Sequence, residues 1–398
     1  MRCLPCTLRS KSSRARAAGN LYRMPKRRPT LSDVAAKAGV SVSLASYALN
    51  GTGRVSPETE VRIQQYAREL GYRANRHARS LRTGEALSIG VVIRNLRNPF
   101  FLDGLVAMEE AAREQGQALL VTNSQYEQAD QRKLLDHLLE LGVGHIVVAP
   151  VGGQGPLEEW MDDNPAIPVV ALNLDMGTDR TGAADRADGA ERGGAGSEAA
   201  YGVETDGRAA RRLSTVNPDH RAAVGLAVEH FALRGHREIT FIAAPEHLVS
   251  DAVREQAFSK ECERRGIAWR IVRSDLVAAR VAARVEAELR GRGASARADR
   301  RDDAHHPSYL VNSDYLAAAV YDAAAAAGMR VGRDLSVIGH DDLPTSALLD
   351  PGLTTIAFNR ERIGTEAIRV LRGDDVEHVV LPVALRERGS VADLHVRP

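Results

Sequence analysis

The sequence contains little cysteine, few aromatic residues and no long apolar run. Among its 398 residues are 3 Cys, 2 Trp and 6 Phe. Three cysteines are too few for a disulfide-rich secreted domain and fit a reducing cytoplasm. No stretch approaches the roughly 20 apolar residues that span a bilayer, so a membrane-integral protein is not predicted. Cys3 and Cys6 form a CxxC pair, but no second pair or histidine cluster lies near them, so no metal site is predicted.

The short signatures of common enzymes are absent as well. The sequence has no GxSxG elbow, no HExxH and no GxGxxG that opens a helix. The nearest glycine-rich stretch is GGQGP at 152–156, and its proline and polar continuation favour a turn. We therefore expect neither an enzyme nor a cofactor.

Positive charge is concentrated at the N-terminal end. Residues 1–86 contain 17 Lys and Arg against 5 Asp and Glu, and the remainder contains 36 against 47, which gives a net charge of +1. A basic end on an acidic chain is the electrostatic signature of a polyanion partner. Residues 1–25 lack the apolar segment of a signal peptide and are predicted to be a disordered basic tail. We hypothesise that translation begins at Met24, just before Pro25.

Residues 30–50 have the pattern of a helix-turn-helix. Thr30 and Asp33 form a capping-box pair at the start of the first helix. Gly39 stands where the turn requires a positive φ, and Ser41 can cap the second helix. The positions predicted to face inward are Leu31, Val34, Ala35, Ala38, Ala45 and Leu49, and those predicted to face outward are Val42, Ser43, Ser46 and Tyr47. A short second helix of this kind fits the major groove of DNA.

A third helix and a hinge follow. Ser56 and Pro57 are a cap and a first helical residue, and Gly71 is a stop signal. The positions of this helix predicted to face inward are Val61, Ile63, Ala67 and Leu70. The segment Asn75–Leu81 is polar and basic, and is too short to form a stable helix alone.

Several motifs, in order and at matching spacing, resemble the LacI/GalR family of bacterial transcription regulators. They are TLSDVAAKAGVS, ALN, VSPET, ELGYRANRHARSL and SIGVVI, followed by VNSDYLA and DLSVIGHDD…PGLTTI near the C-terminus. The resemblance covers most of residues 26–390. It implies a three-helix DNA-binding headpiece and a two-lobed effector domain.

The resemblance also implies roles for headpiece and hinge residues. Val42 and Ser43 match residues that read bases, and Ser41, Ser46 and Asn50 match residues at the phosphate backbone. This chain has Leu44-Ala45-Ser46-Tyr47 where relatives commonly have Thr-Val-Ser-Arg, so its base preference cannot be copied from them. The hinge is expected to fold on DNA, where Asn75, Arg79 and Leu81 contact the duplex and Leu81 enters the minor groove. The alternative for Leu81 is a linker residue that touches the effector domain.

From Leu87 onward, apolar strands alternate with helices, which predicts parallel, doubly wound sheets. The predicted strands are Ile89–Ile93, Ala118–Thr122, His145–Ala149, Val169–Leu172, Ile239–Ala243, Trp269–Val272, Tyr309–Val311 and Leu335–Ile338. The predicted helices are Leu102–Gln115, Gln128–Leu141, Arg221–Arg234, Asp251–Arg265, Ala278–Arg290 and Tyr315–Ala327. Two such sheets in tandem predict a bilobed domain with a ligand-binding cleft, similar to periplasmic sugar-binding proteins. Asp175–Thr215 has no apolar periodicity and is interpreted as a disordered insertion, and Arg292–His306 as a polar linker.

Polar residues just beyond the strand ends are the candidate effector contacts. The predicted set is Asn95, Asn98, Phe100, Asn173, Ser250, Arg254 and Asp314. Arg254 and Asp314 are expected to clamp adjacent hydroxyl groups of a sugar or nucleoside, and the resemblance supports both of them and Asn173. The alternative for Asp314 is a cap of the following helix. Asp341 and Asp342 are interpreted as turn residues, and the role of His340, which also follows a strand, is left open.

Together these patterns predict a tail (1–25), a helix-turn-helix headpiece (26–74), a hinge (75–86) and an α/β bilobed effector domain (87–390). The predicted function is that of a cytoplasmic, nucleoid-associated transcription regulator, and specifically a repressor. It would bind a pseudo-palindromic DNA operator as a homodimer under the control of a small molecule. The alternative is a periplasmic-type sugar-binding protein, which the basic headpiece and the missing signal peptide disfavour.

Overall fold

The computed structural model describes residues 29–51, 53–73, 88–152, 154–174, 213–245, 251–298 and 306–395. These residues form two compact units, a headpiece (29–73) and a larger α/β unit (88–395). The predicted tail, the hinge and most of the predicted insertion lie outside the described residues.

The headpiece contains three helices, α1 (Leu31–Ala38), α2 (Val42–Asn50) and α3 (Pro57–Leu70). Their ends are set by local chemistry. Thr30 and Asp33 form the predicted capping box, and the Ser41 side chain accepts a hydrogen bond from Leu44 N. Gly39 has a φ of 67°, as the turn requires. All three predictions are confirmed.

Small apolar residues fill the centre of the headpiece. Val34, Ala45 and Ile63 are completely buried, and alanines at the contacts let the three helices approach closely. The prediction for Val61 is wrong, because its side chain is 60% exposed. On α3 the buried positions are Ile63 and Ala67, four residues apart, and Val61 falls outside that face.

The α/β unit contains two six-stranded sheets. The first consists of β1 (Ser88–Ile93), β2 (Ala118–Asn123), β3 (His145–Val148), β4 (Val169–Leu172), β5 (Ser214–Pro218) and β11 (His378–Leu381). The second consists of β6 (Glu238–Ala243), β7 (Ala268–Arg273), β8 (Ser308–Val311), β9 (Ser336–His340), β10 (Thr354–Phe358) and β12 (Val383–Arg386). The strand orders are 11-5-4-3-1-2 and 12-10-9-8-6-7, and all pairings are parallel except that of β12 with β10.

Each sheet is covered by helices. We call each sheet with its helices a lobe. In the first lobe the helices are α4 (Phe100–Arg113), α5 (Gln128–Glu140), α6 (Gly155–Asp163) and α11 (Arg360–Leu371). In the second lobe they are α7 (His220–Leu233), α8 (Ala252–Arg265), α9 (Ala278–Ala298) and α10 (Asp314–Ala326), together with a 3-10 helix at Pro344–Leu348. The central strands β1 and β8 are buried along their whole length, as expected of strands covered on both faces.

The chain path corrects the predicted tandem arrangement of the lobes. The chain crosses between lobes three times, after β5, after β10 and between β11 and β12, so that α11 and β11 return to the first lobe. The predicted insertion ends too late, since Ser214 and Thr215 begin β5 and are buried between β4 and β11. The predicted turn at 152–156 is also partly wrong, because Gly155 begins α6 and Pro156 occupies its first turn.

Candidate functional site

The outer face of α2 is the candidate DNA-contact surface of the headpiece. Val42 is 47% exposed and Tyr47 is 44% exposed, and Ser43 is also exposed. Ser41 is the N-cap of α2. Asn50 Nδ2 donates to the carbonyl oxygen of Ser46 at 2.8 Å. Both residues belong to the set predicted to contact the phosphate backbone of DNA. The remaining predicted DNA contacts, Asn75, Arg79 and Leu81, lie outside the described residues.

A cavity opens in the α/β unit, where the carboxyl ends of strands from both lobes face each other. Ligands of open parallel sheets bind at this position. Four predicted residues line it, namely Asn98, Phe100, Asn173 and Arg254. Asn95 does not line it, and its Oδ1 accepts a hydrogen bond from Arg97 N at 2.9 Å. Ser250 lies outside the described residues.

Asp314 does not line the cavity either, and the expected clamp with Arg254 is not formed. The Asp314 carboxylate is 4% exposed and accepts hydrogen bonds from three second-lobe donors, Leu343 N, Ser346 Oγ and Thr355 Oγ1. The alternative role as a helix cap is also incorrect, because Ser313 is the N-cap of α10 and Asp314 is its first residue. Protein donors therefore already occupy the side chain that was expected to bind a ligand.

The acid beside Arg254 is Asp251, which the sequence analysis did not select. Asp251 forms an ion pair with Arg254, and its Oδ2 accepts from Ala244 N at 2.7 Å and from Asn312 Nδ2 at 2.8 Å. Arg254 Nη1 donates to the carbonyl oxygen of Asn312 at 2.9 Å. Asp251 is the N-cap of α8 and Arg254 lies three residues further along. An acid and an arginine at this spacing lie close together on a helix, and this signal could have identified Asp251.

Buried polar atoms without a hydrogen-bond partner concentrate around this cavity. Within the described residues seven side-chain atoms are of this kind, and six belong to residues that line the cavity. The six are Asn173 Oδ1, His220 Nδ1, Arg254 Nε, Asn312 Oδ1, His340 Nε2 and Asp341 Oδ2. Since leaving a buried polar atom unpaired is costly, this concentration indicates that a polar ligand completes the site.

Three cavity residues have a left-handed backbone without being glycine. They are Tyr126 (φ 64°), Asn173 (φ 52°) and Asp341 (φ 126°), and each follows a strand. Non-glycine residues adopt this region at a cost, and such residues cluster at binding sites. Tyr126 was missed in the sequence although it follows β2. His220 was missed because β5, which precedes it, begins inside the predicted insertion and was not predicted as a strand.

Two histidines from different elements meet in the cavity. The rings of His220 and His340 stack with their centroids 6.3 Å apart. Burial, together with the charge of Arg254, lowers the pKa of both imidazoles well below the usual value. Both rings are therefore neutral near neutral pH, and each offers one donor and one acceptor.

Other classes of site are not seen in the part of the chain that the structure describes. No group of His, Cys, Asp or Glu there has a suitable arrangement to hold a metal ion. The helices of the same ranges include none with the length and apolar character to cross a bilayer.

Comparison with known proteins agrees with both units. Residues 30–75 match the family described as bacterial regulatory proteins, lacI family. Residues 228–391 match the periplasmic binding protein-like domain. The chain belongs to the LacI/GalR family. The predicted resemblance and fold class are thereby confirmed.

Relatives of similar length support the assignment. The HTH-type transcriptional repressor PurR of Edwardsiella ictaluri is 28% identical over 92% of this chain and 97% of its own length. The HTH-type transcriptional repressor CytR of Escherichia coli K12 is 26% identical over 86% of this chain and 88% of its own length. A crystal structure of the lac repressor dimer bound to operator and the anti-inducer ONPF has the same fold. Its TM-score is 0.72 at 22% identity, over 92% of this chain and all of that chain. These relatives are repressors and not enzymes, which confirms the predicted class.

Proposed function

We propose that this protein represses transcription by binding a pseudo-palindromic DNA operator as a homodimer, and that a small molecule in the cavity changes its affinity for DNA. The observation that carries the proposal is the exposed outer face of α2 in a chain that also has a cavity lined by unpaired polar atoms. The match of residues 30–75 to the lacI family favours this function over that of a periplasmic-type sugar-binding protein. A repressor of this kind acts in the cytoplasm, at the nucleoid.

The headpiece supports sequence reading by α2. Its caps fix the helix ends, and its N-terminal side chains Val42 and Ser43 are exposed. A helix of this size enters the major groove and presents its first residues to base edges. Because one headpiece reads only a half-site, specific binding requires two copies related by a two-fold axis.

An exposed apolar strip on α4 supports the homodimer. Leu102 is 49% exposed and Val106 is 58% exposed, and they lie four residues apart on one helix face. Burial of this strip against a second copy would remove apolar surface from water. The related lac repressor structure is of a dimer on its operator.

The cavity supports control by a small molecule, and a sugar or nucleoside-like metabolite fits its chemistry. Small-molecule sites combine apolar walls with a few polar groups, and this cavity has both. Aromatic rings of Phe100, Phe101 and Phe358 form one wall, and the unpaired polar atoms offer directional contacts. Ligand that binds across both lobes changes their relative position, and the coupling to DNA affinity is typically about 1–3 kcal/mol.

The test is selection of DNA fragments by the purified full-length protein, with and without cell metabolites. We expect a short inverted repeat. Val42→Ala and Tyr47→Ala are each expected to lower operator affinity at least severalfold, because they truncate exposed side chains on the face of α2 that is proposed to enter the groove. Val61→Ala is the matched control, since Val61 is an exposed valine on α3. Binding without sequence preference under both conditions would contradict the proposal.

A further inference from the structure

The cavity is lined by an arginine that is mostly buried and has no acidic partner among the described residues. Arg94 follows β1, is 8% exposed and lines the cavity. Within the ranges that the structure describes, no carboxylate forms an ion pair with it. Burial lowers the pKa of Arg94, but a guanidinium keeps its charge in proteins. An isolated buried charge is costly unless a counter-charge meets it.

The nearby charges do not neutralise Arg94. Arg254 lies close enough for its charge to lower the pKa of Arg94 further. Two groups favour the charged form of Arg94, Tyr126 and Asp251. Only Asp251 is a carboxylate, and it is already bound to Arg254, Ala244 N and Asn312. Both guanidinium groups therefore lie near a carboxylate whose two oxygens are already occupied by protein donors.

The remaining acid of the cavity does not act as a fixed counter-ion for Arg94. Burial raises the pKa of Asp341 well above its ordinary value, and the nearby Asp314 raises it further. The charged groups that oppose this shift are Arg254 and Arg360. The neutral rings of His220 and His340 line the same cavity, each with an unpaired nitrogen. His220 is close to the charges of both arginines, and His340 to that of Arg254. An imidazole N–H can donate to a bound anion without adding charge.

We propose that the effector is an anionic metabolite whose carboxylate or phosphate group is bound jointly by Arg94 and Arg254. The inference rests on the proposed function, because it names the chemical class of the molecule that occupies the same cavity. Arginine is suited to this role, since its planar donors bind two oxygens of one acidic group. The body of the ligand packs against Phe100 and Phe358, which contact each other at a ring-centroid distance of 5.7 Å.

The test compares ligands that share a ring and differ in charge. Binding of D-glucose, D-glucuronate and D-glucose 6-phosphate to the full-length protein is measured by calorimetry at constant ionic strength. Acetate and inorganic phosphate serve as the bare anions. We expect saturable binding of acetate or phosphate, and tighter binding of at least one charged sugar than of glucose. Tighter binding of acetate than of inorganic phosphate would indicate a carboxylate effector, and the reverse would indicate a phosphate effector.

Three variants test the assignment to Arg94. Arg94→Met is expected to weaken anion binding at least tenfold, and Arg94→Lys to restore part of it. Arg97→Met is the matched control, because Arg97 is exposed in the same loop. Removal of an unpaired buried charge is also expected to raise the melting temperature of the ligand-free protein.

Three results would overturn the inference. The first is that no anion or charged sugar binds more tightly than glucose, and the second is that Arg94→Met binds anions as the wild type does. The third is a lower melting temperature of ligand-free Arg94→Met, which would reveal a stabilising partner. Operator binding is measured separately on the same samples. Normal operator binding without anion binding rejects only this inference, whereas anion binding without operator binding rejects only the proposed function.

Discussion

Asp314 holds together three segments of the second lobe. Its Oδ2 accepts from Leu343 N at 3.0 Å and from Ser346 Oγ at 2.5 Å, and its Oδ1 accepts from Thr355 Oγ1 at 2.6 Å. One carboxylate thus joins the start of α10 to the 3-10 helix and to β10. A buried acceptor with three donors is a structural element, because each donor loses its only partner when the acceptor is removed.

Asp314→Ala is therefore expected to lower the free energy of unfolding by about 3 kcal/mol, because three buried donors lose their acceptor. Urea denaturation measures this change. Asp322→Ala is the matched control, since Asp322 is exposed on the same helix, and its effect should stay within about 0.5 kcal/mol. A stable Asp314→Ala variant that loses only effector affinity would show that Asp314 is a ligand contact after all.

His236 is a second buried residue whose role is structural. It is 2% exposed, its Nε2 donates to the carbonyl oxygen of Ala392 at 3.0 Å, and its Nδ1 lies 2.7 Å from Ser308 Oγ. It thus connects the C-terminal segment to the second sheet. Burial lowers the pKa of His236 from 6.5 to about 4.

This shift predicts a loss of stability in acid. As the pH falls below about 6.5 the unfolded chain binds a proton at His236 that the folded protein does not, until the pH approaches the folded pKa. Between about pH 7.5 and pH 5 the free energy of unfolding should fall by about 2 kcal/mol through this group. His236→Gln removes this contribution, so the stability difference between wild type and variant should narrow toward pH 5. His137→Gln, on an exposed part of α5, is the control, and a constant difference for His236→Gln would refute the assignment.

At the scale of elements, two glycines allow α4 and α11 to cross closely. A Cβ atom added to Gly364 would collide with the carbonyl oxygen of Gly104 and lie 3.0 Å from Ala107 Cβ. Gly104 in turn faces the backbone of Arg360. This contact attaches α11 to the first lobe after the chain has returned from the second.

Gly364→Ala is expected to lower the free energy of unfolding by about 2 kcal/mol, because the backbone of one helix must move away from the other. Thermal and urea unfolding measure the change. Thr365→Ala, one residue further and exposed, is the control. If Gly364→Ala is as stable as wild type, the helices can separate without cost and the close crossing has no stabilising role.

At the scale of the whole molecule, the proposed dimer makes a further prediction. Leu102→Asp and Val106→Asp place charge on the exposed strip of α4 and are expected to raise the dimer dissociation constant roughly tenfold or more. Sedimentation velocity measures the association, and operator affinity should fall in parallel. Leu233→Asp is the control, as Leu233 is 70% exposed on α7. Dimers of unchanged stability in both α4 variants would place the interface elsewhere.

Much of the cavity could be predicted because ligand-facing residues follow the carboxyl ends of strands. That rule identified four residues that line the cavity, namely Asn98, Phe100, Asn173 and Arg254. It also drew attention to His340, which lines the cavity as well. Proximity to a strand end does not specify where a side chain points, and Asp314 follows β8 yet turns toward β10. That orientation depends on donors that lie far away in the sequence.

The linear pattern of residues was sufficient to predict the local structure, namely the caps of α1, α2 and α3, the glycine turn and the alternation of strands with helices. These features involve residues within about four positions of each other, so a linear pattern contains them. The three crossings between lobes and the partners within the cavity could not be predicted from that pattern, because they depend on how the chain packs. Arg254 interacts with Asn312, 58 residues away, and Asp314 with Thr355, 41 residues away. Which residues become such partners depends on the path of the whole chain. Burial and unpaired polar atoms are likewise properties of the packed molecule and not of any segment.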